Sequence, residues 1–244
     1  YNKDFYCGYS PERINPGDKK KSLEDIVKIT SGSNKKTAGF VDDLYNKILK
    51  SGTYKVSSIK VAEASKIIEN IQRDVNIALM NEFAMIFDRL NIPTSEVLEA
   101  SKTKWNFIDF KPGLVGGHCI GIDPYYLIYK SKQSGYMPNL ISSSRIINNY
   151  VPGFIVDKLK MQLNLENKEI VKSDVLILGY TFKENCVDIR NTKVKNIVDS
   201  LRDCGSNVDI YDPLLKNDNI LIKNPFNRTK KYDAIILAVS HRDF

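Results

Sequence analysis

Residues Asp174-Val-Leu-Ile-Leu-Gly179 decide the fold. An unbroken apolar run of this length, ended by glycine, has the pattern of a strand buried on both faces of a parallel sheet. Outward from it, Thr192 to Cys204 predicts a helix stopped by Gly205. Val208-Asp-Ile-Tyr211 predicts a second strand, ended by Asp212-Pro213, and Asp233 to Val239 a third. Strand, helix, strand and strand in this order describe a doubly wound α/β domain. Its first βα turn reads Gly179-Tyr-Thr-Phe-Lys-Glu-Asn185, which is not G-x-G-x-x-G, and that dinucleotide fingerprint occurs nowhere else in the chain. Lys183 and Arg190 follow. They are open to two readings: cations that meet phosphates near a helix N-terminus, or solvated surface charges.

Upstream, the pattern changes to helices. A long helix is predicted from Lys60 to Leu90, with Val61, Ala64, Ile67, Ile68, Ile71, Val75, Ala78, Leu79, Phe83, Ile86 and Phe87 on a stripe wide enough to imply burial over much of its length. Glu63, Lys66 and Asn70 share a face of it by their spacing. Lys66, set in an apolar stretch, is either reserved for an anion or reaches past its neighbours to solvent. Thr94 is expected to cap a short helix through Ala100. Further helices are predicted at Leu140 to Asn149 and Pro152 to Leu163, followed by a polar boundary over Gln162 to Ser173. Residues 1–57 read as mixed: strands near Phe5 to Tyr9, Asp25 to Thr30 and Tyr54 to Val56, and a helix over Thr37 to Lys50. Glu12, just after the first strand, is either a ligand-facing loop residue or a turn residue. Trp105 is expected to pack at a helix–loop junction.

Between the helices lies Gly113-Leu-Val-Gly-Gly-His-Cys-Ile-Gly-Ile-Asp-Pro124. Cys119 follows three glycines, and Asp123 stands four residues later, where an N-cap is expected, with Pro124 at the first helical position. Glycines such as Gly116 and Gly117 allow a substrate carbon to approach the backbone. A thiol on such a turn is placed to act as a nucleophile, and Asp123 to assist it. The alternative is a small buried cysteine in a tight turn. His118 is given no role, because adjacent side chains point apart.

The bulk numbers narrow the classes. In 244 residues, hydrophobic content of 42% and charged content of 27% describe a soluble globular chain. No run reaches membrane-spanning length and no secretory signal opens the sequence. Cys7, Cys119, Cys186 and Cys204 have no metal-ligand spacing, so no metal is expected, and they fit a reducing compartment. The net charge of +7 is spread out, apart from Lys19 to Lys21; it fits an anionic small molecule as well as nucleic acid, and no aromatic-basic stripe supports the latter.

Four segments together resemble the UDP-glucose/GDP-mannose dehydrogenase family, in its bacterial branch acting on UDP-N-acetylhexosamines. They are Ser10-Pro-Glu-Arg-Ile-Asn-Pro-Gly-Asp18, Ala64-Ser-Lys-Ile-Ile-Glu-Asn70, Gly113 to Pro124, and Gly179 to Asn191. The resemblance implies an α/β fold in three parts. Residues 1–57 would be the tail of an N-terminal, NAD-binding Rossmann domain. Residues 58–165 would form a central all-helical domain, and residues 166–244 an incomplete C-terminal Rossmann-like domain that holds the UDP-sugar. Most of the NAD domain is expected to be missing, so that these residues alone bind NAD poorly.

The resemblance also implies a chemistry: NAD-dependent oxidation of the sugar C6 alcohol to a carboxylate, in two steps, through a thiohemiacetal and a thioester on Cys119. Lys66 and Asn70 match oxyanion donors, Asp123 a carboxylate that helps activate water, and Glu12 a glutamate of the hydrolytic step. Gly116, Gly117 and Lys183 match substrate-binding positions, and Arg190 a cofactor-binding one. A cytoplasmic homodimer joined through residues 60–90 and serving surface-polysaccharide synthesis, such as capsule, is the implied setting. The competing expectation is a truncated, redox-inactive fragment that binds UDP-sugar or dimerises.

Overall fold

The computed structural model describes residues 2–14, 22–215, 219–227 and 230–244. The expected motif positions Asn15 to Asp18 and the Lys19 to Lys21 cluster lie outside them. The chain divides into two units, Tyr1–Asn70 and Ile71–Phe244.

In the first unit, β1 (Gly8–Tyr9) pairs antiparallel with β2 (Lys28–Gly32), and β2 pairs parallel with β3 (Thr53–Lys55). The crossover between β2 and β3 is α1 (Lys35–Asn46). Its N-cap is Asn34, whose side chain accepts from the Thr37 N–H at 2.9 Å and so satisfies one of the unpaired donors of the first turn. Asp42 on α1 accepts from the hydroxyls of Thr30 on β2 and Thr53 on β3, both at 2.6 Å, tying the helix to two strands. The strand expected over Phe5 to Tyr9 is only two residues long, Gly8–Tyr9, and Phe5 and Tyr6 are solvent-exposed.

The long helix is α2 (Ile59–Arg89), which begins in the first unit and continues into the second. Ala62, Ile71, Ala78 and Met80 are buried, but Val61, Ile68, Leu79, Phe83 and Ile86 are exposed. The stripe is therefore wider than what this chain covers.

In the second unit α2 is followed by α3 (Thr94–Lys102), α4 (Asp123–Gln133) and α5 (Asn139–Leu165). Pro93, not Thr94, is the N-cap of α3. Trp105 is 92% exposed, so its expected packing role is not what the fold uses. The two helices expected on either side of Tyr150 are one, with Pro152 inside α5. A proline removes one intrahelical donor, yet Val151, Pro152 and Val156 are all buried, and that packing keeps the helix whole.

Then come β4 (Asp174–Leu178), α6 (Val194–Asp203), β5 (Asn207–Tyr211) and β6 (Ala234–Leu237). The sheet order is β5-β4-β6 and all its pairs are parallel, with Ile177 opposite both Ile210 and Ile236. Val175 and Ile177 are fully buried, as the opening run predicted. They pack with Val194, Ile197, Val198 and Leu201 of α6, with Ile210, and with Val156 of α5. Each such side chain removed from water contributes about 1.5–3 kcal/mol, which makes this cluster the platform for the loops above it. Among the described residues no helix is long and apolar enough to cross a membrane.

Candidate functional site

Gly117 to Ile122 form a chain of turns that leads directly into α4. The carbonyl of Cys119 accepts from the N–H groups of Ile122 at 3.0 Å and Asp123 at 2.8 Å, which curls the backbone under the cysteine and leaves its side chain exposed. This overturns the alternative of a small buried cysteine. Asp123 is the first residue of α4 and not its cap; the cap position is Ile122, with no side-chain bond. The carboxylate therefore sits in the first turn, at the positive end of the helix dipole, and Pro124 is the second helical residue, one place later than expected but still in the turn whose N–H groups have no intrahelical partner.

Two of the three glycines that precede Cys119, Gly116 and Gly117, are explained by what lies against them. A Cβ on Gly116 would come within 2.7 Å of the Asn191 carbonyl oxygen. Gly117 has φ +79°, and a Cβ there would come within 2.9 Å of the Phe182 ring. The Gly117 N–H donates to the Asn191 carbonyl at 3.3 Å. His118 meets Phe182 edge-on with centroids 6.3 Å apart, and its Nδ1 lies 3.9 Å from Asp188 Oδ2. The cysteine loop thus rests on segment 182–191, the stretch after β4 that carries Lys183 and Arg190.

Arg190 is exposed and grips Asp188 through Nε and NH2, the shortest contact being 2.6 Å. Those hydrogen bonds, against a small desolvation cost, lower the Asp188 carboxyl to about 2. In return, the Asp188 hydrogen bonds and charge raise the Arg190 guanidinium, and the Cys119 and Cys186 sulfurs add smaller contributions of the same sign. Arg190 is thus within electrostatic range of the Cys119 thiol. Lys183 is half-buried, its Nζ 5.7 Å from the centroid of the Phe182 ring.

Segment 182–191 is itself anchored by residues that the sequence reading did not single out. At the carboxyl ends of the three strands, the Asp212 carboxylate accepts from the N–H groups of Tyr180 (2.7 Å), Thr181 (3.1 Å) and Leu214 (2.9 Å). His241 joins them, Nε2 to Asp212 Oδ2 at 3.0 Å, and its Nδ1 accepts from the Asn185 N–H at 3.0 Å. Asp212-Pro213 directly after a strand was the signal available for this site, read earlier only as a strand end.

In the first unit, Glu12 folds back on its own backbone and accepts from the N–H groups of Arg13 and Ile14, each at 2.7 Å. The Ile14 bond, then that of Arg13 and the charges of Lys28 and Lys66, hold its carboxyl below the usual range against a partial desolvation. Glu12 and Lys66 are thus electrostatic neighbours. Arg13 bridges Glu69 at 2.7 Å and the carbonyl of Val27, and Lys28 donates to the Pro11 carbonyl, so Ser10 to Ile14 is held on both sides. Asn70 is buried and Lys66 half-buried.

The chain matches two models of one family. Residues 60–150 match the UDP-glucose/GDP-mannose dehydrogenase family, central domain, and residues 176–244 match the same family's UDP binding domain. A UDP-N-acetyl-D-glucosamine 6-dehydrogenase of Salmonella typhi is 51% identical over all of this chain and 59% of its own length. A protein of the same name from Pseudomonas aeruginosa is 49% identical, again over all of this chain and 59% of its own length. The chain thus spans less than two thirds of the curated relatives it matches. Among solved structures, a UDP-D-ManNAc dehydrogenase from Pyrococcus horikoshii superposes with a TM-score of 0.89 at 31% identity, over 98% of this chain and 56% of that one.

Proposed function

Because the chain belongs to the UDP-glucose/GDP-mannose dehydrogenase family, we propose that it serves the oxidation of the C6 alcohol of a UDP-N-acetylhexosamine to the uronic acid, with Cys119 as the nucleophile. The observation that carries the reading is the exposed Cys119 thiol on a turn in which Gly116 and Gly117 pack closely on segment 182–191. Relatives named for UDP-N-acetylglucosamine and UDP-N-acetylmannosamine support the substrate class.

NAD is the hydride acceptor proposed for both oxidations. The 244 residues contain no G-x-G-x-x-G turn, and Arg190, exposed beside Asp188, is the residue here that could meet the phosphates of NAD. The proposed steps therefore concern this chain's residues. The Cys119 thiolate adds to the C6 aldehyde, a carbon–sulfur bond forms, and the carbonyl oxygen becomes an alkoxide that takes up a proton. A thiolate is both a strong nucleophile and a good leaving group, so the thioester formed at the next oxidation level can be cleaved by water, releasing the acid and restoring the thiolate. Lys66 and Asn70 are assigned as donors to the oxyanions, by the resemblance of their motif. Asp123 and Glu12 are assigned to water activation; Asp123 sits in the first turn of α4, and backbone N–H groups with nearby lysines hold the Glu12 carboxyl below its usual range. Gly116, Gly117 and Lys183 are assigned to the substrate and Arg190 to a cofactor phosphate. Residues 1–57, 58–165 and 166–244 take the corresponding domain roles.

A homodimer through α2 belongs to the same proposal. Leu79, Phe83, Ile86 and Leu90 are exposed at spacings of four, three and four, one face of a helix, and an apolar stripe of this kind calls for a cover. A cytoplasmic enzyme of surface-polysaccharide synthesis is the setting.

The test is to supply UDP-N-acetylglucosamine, UDP-N-acetylgalactosamine, UDP-N-acetylmannosamine and UDP-glucose with NAD to a catalytically competent protein carrying this chain. Uronic acid from at least one N-acetylhexosamine, formed with two NADH each, supports the reading; no acid from any of them contradicts it. The second reading, a redox-inactive binding or dimerisation fragment, is favoured by the match of residues 176–244 to a UDP binding domain and by the exposed apolar stripe of α2. Calorimetry on the chain itself separates the two: heat with UDP-sugar and none with NAD would support it for these residues alone.

A further inference from the structure

One buried polar network holds both ends of the cysteine loop. At the leading end, Asn81 of α2 grips the backbone of Gly113 at two points: its Oδ1 accepts from the Gly113 N–H at 2.7 Å, and its Nδ2 donates to the Gly113 carbonyl at 3.0 Å. The other Nδ2 hydrogen goes to Asn148 Oδ1 on α5 at 2.8 Å. Asn148 in turn donates to the Asp74 carbonyl at 3.0 Å and to Asp74 Oδ1 at 2.7 Å, and the same Oδ1 receives Arg145. At the trailing end, the Arg145 guanidinium lies 5.5 Å from the centroid of the Tyr125 ring, in the first turn of α4, and also donates to Asn149 Oδ1 at 2.9 Å. Asn149 Nδ2 donates to the Tyr125 hydroxyl at 2.8 Å. Asp74, Asn81, Arg145 and Asn148 are each at most 3% exposed.

Burying four polar side chains is costly unless nearly every donor and acceptor is used, and apolar residues would pack two helices more cheaply. Here Asn81 makes three hydrogen bonds, two of them to the loop backbone six residues before Cys119, while Asp74 Oδ2 and Arg145 Nε are left without a partner among the described residues. We propose that Asn81, Asn148, Asp74 and Arg145 are positioning residues that fix the height and angle of Cys119 by clamping its loop at Gly113 and Tyr125. This rests on the reading of Cys119 as the nucleophile. A loop held at both ends by rigid helices keeps its thiol at attack distance, and a misplacement of about 1 Å costs on the order of a hundredfold in rate.

The experiment uses the catalytically competent protein with Asn81→Ala, measuring acid, NADH and free aldehyde trapped by hydroxylamine. A displaced thiol captures the aldehyde poorly but leaves the first oxidation intact. The expected result is a fall of roughly tenfold or more in kcat for acid, KM for the UDP-sugar within about threefold, and NADH per acid rising above two as aldehyde escapes. A variant that only loses folded protein lowers acid and NADH together with their ratio fixed at two, and that outcome overturns the proposal. If Asn81→Ala does not fold, Tyr125→Phe and Asn149→Ala, changes at exposed positions, decide the matter. Aldehyde escape or an altered rate of Cys119 alkylation by iodoacetamide, with Cys204 as the internal reference, supports the clamp; neither change in both variants overturns it. Cys119→Ala is the control. If it still makes acid, the nucleophile reading itself has failed; if it makes none while Asn81→Ala behaves as wild type, only the clamp has failed.

Discussion

Asp212 and His241 form a fully buried pair, with Nε2 3.0 Å from Oδ2, at the carboxyl ends of β5 and β6. Because the Asn185 N–H points at Nδ1, that nitrogen is the acceptor and Nε2 carries the proton toward Asp212. Two loops, Tyr180–Asn185 and the segment after β5, are pinned to one carboxylate. Desolvation alone would raise the Asp212 carboxyl, but the N–H groups of Tyr180 and Leu214 and the bond from His241 outweigh it and hold it below its ordinary value.

Asp212→Ala takes the acceptor from three N–H groups and leaves His241 Nε2 with only the Thr181 hydroxyl, and is expected to cost about 3 kcal/mol, read as a lower denaturant midpoint. The sign with pH follows from the depressed carboxyl. Its contribution is present above the unfolded value near 3.8 and is lost as pH falls through the lower folded value. Acid unfolding of the wild type should steepen in that window, and the variant should lose that component. Equal acid transitions in both would contradict it.

Gly117→Ala meets both a left-handed backbone and the Phe182 ring, and is expected to cost about 1–3 kcal/mol and to change the alkylation rate of Cys119. Gly113→Ala has open space for its Cβ and should stay within about 0.5 kcal/mol of the wild type. Equal melting temperatures for the two variants would show that the loop does not rest on Phe182.

Carbon-detected NMR should find the Asp188 carboxyl titrating at about 2 and moving back toward 3.8 in Arg190→Gln, since the Arg190 hydrogen bonds are the largest cause of the shift. An unchanged value in the variant would place Arg190 elsewhere in solution.

Phe83→Glu puts a charge in the exposed stripe of α2 and removes a ring stacked 5.7 Å from Phe87. Light scattering at micromolar concentration should give a dimer for the wild type and a monomer for the variant. A wild-type monomer would remove α2 as the interface.

How far the sequence carried the account can be traced through particular residues. Val175 and Ile177 were legible as a buried strand because an unbroken apolar run bounded by glycine has few other uses. The helix over 59–89 was legible from its stripe, but not which part of that stripe the chain would cover. Pro152 misled, because its cost inside a helix is local while the burial that outweighs it is tertiary. Cys119 stood out by its glycine context; the reason for that context, Phe182 and Asn191 lying against the loop, could not be read from spacing. Asn81, Asn148 and His241 carry no local pattern, since each matters through partners 29 to 74 residues away.

The most direct measurement is the uronic acid formed by the Cys119→Ser variant of the catalytically competent protein. A hydroxyl of similar size binds the same substrate but cannot supply a thiolate, so the account predicts acid formation reduced by at least about a thousandfold with UDP-sugar binding retained. Acid produced at the wild-type rate would contradict it.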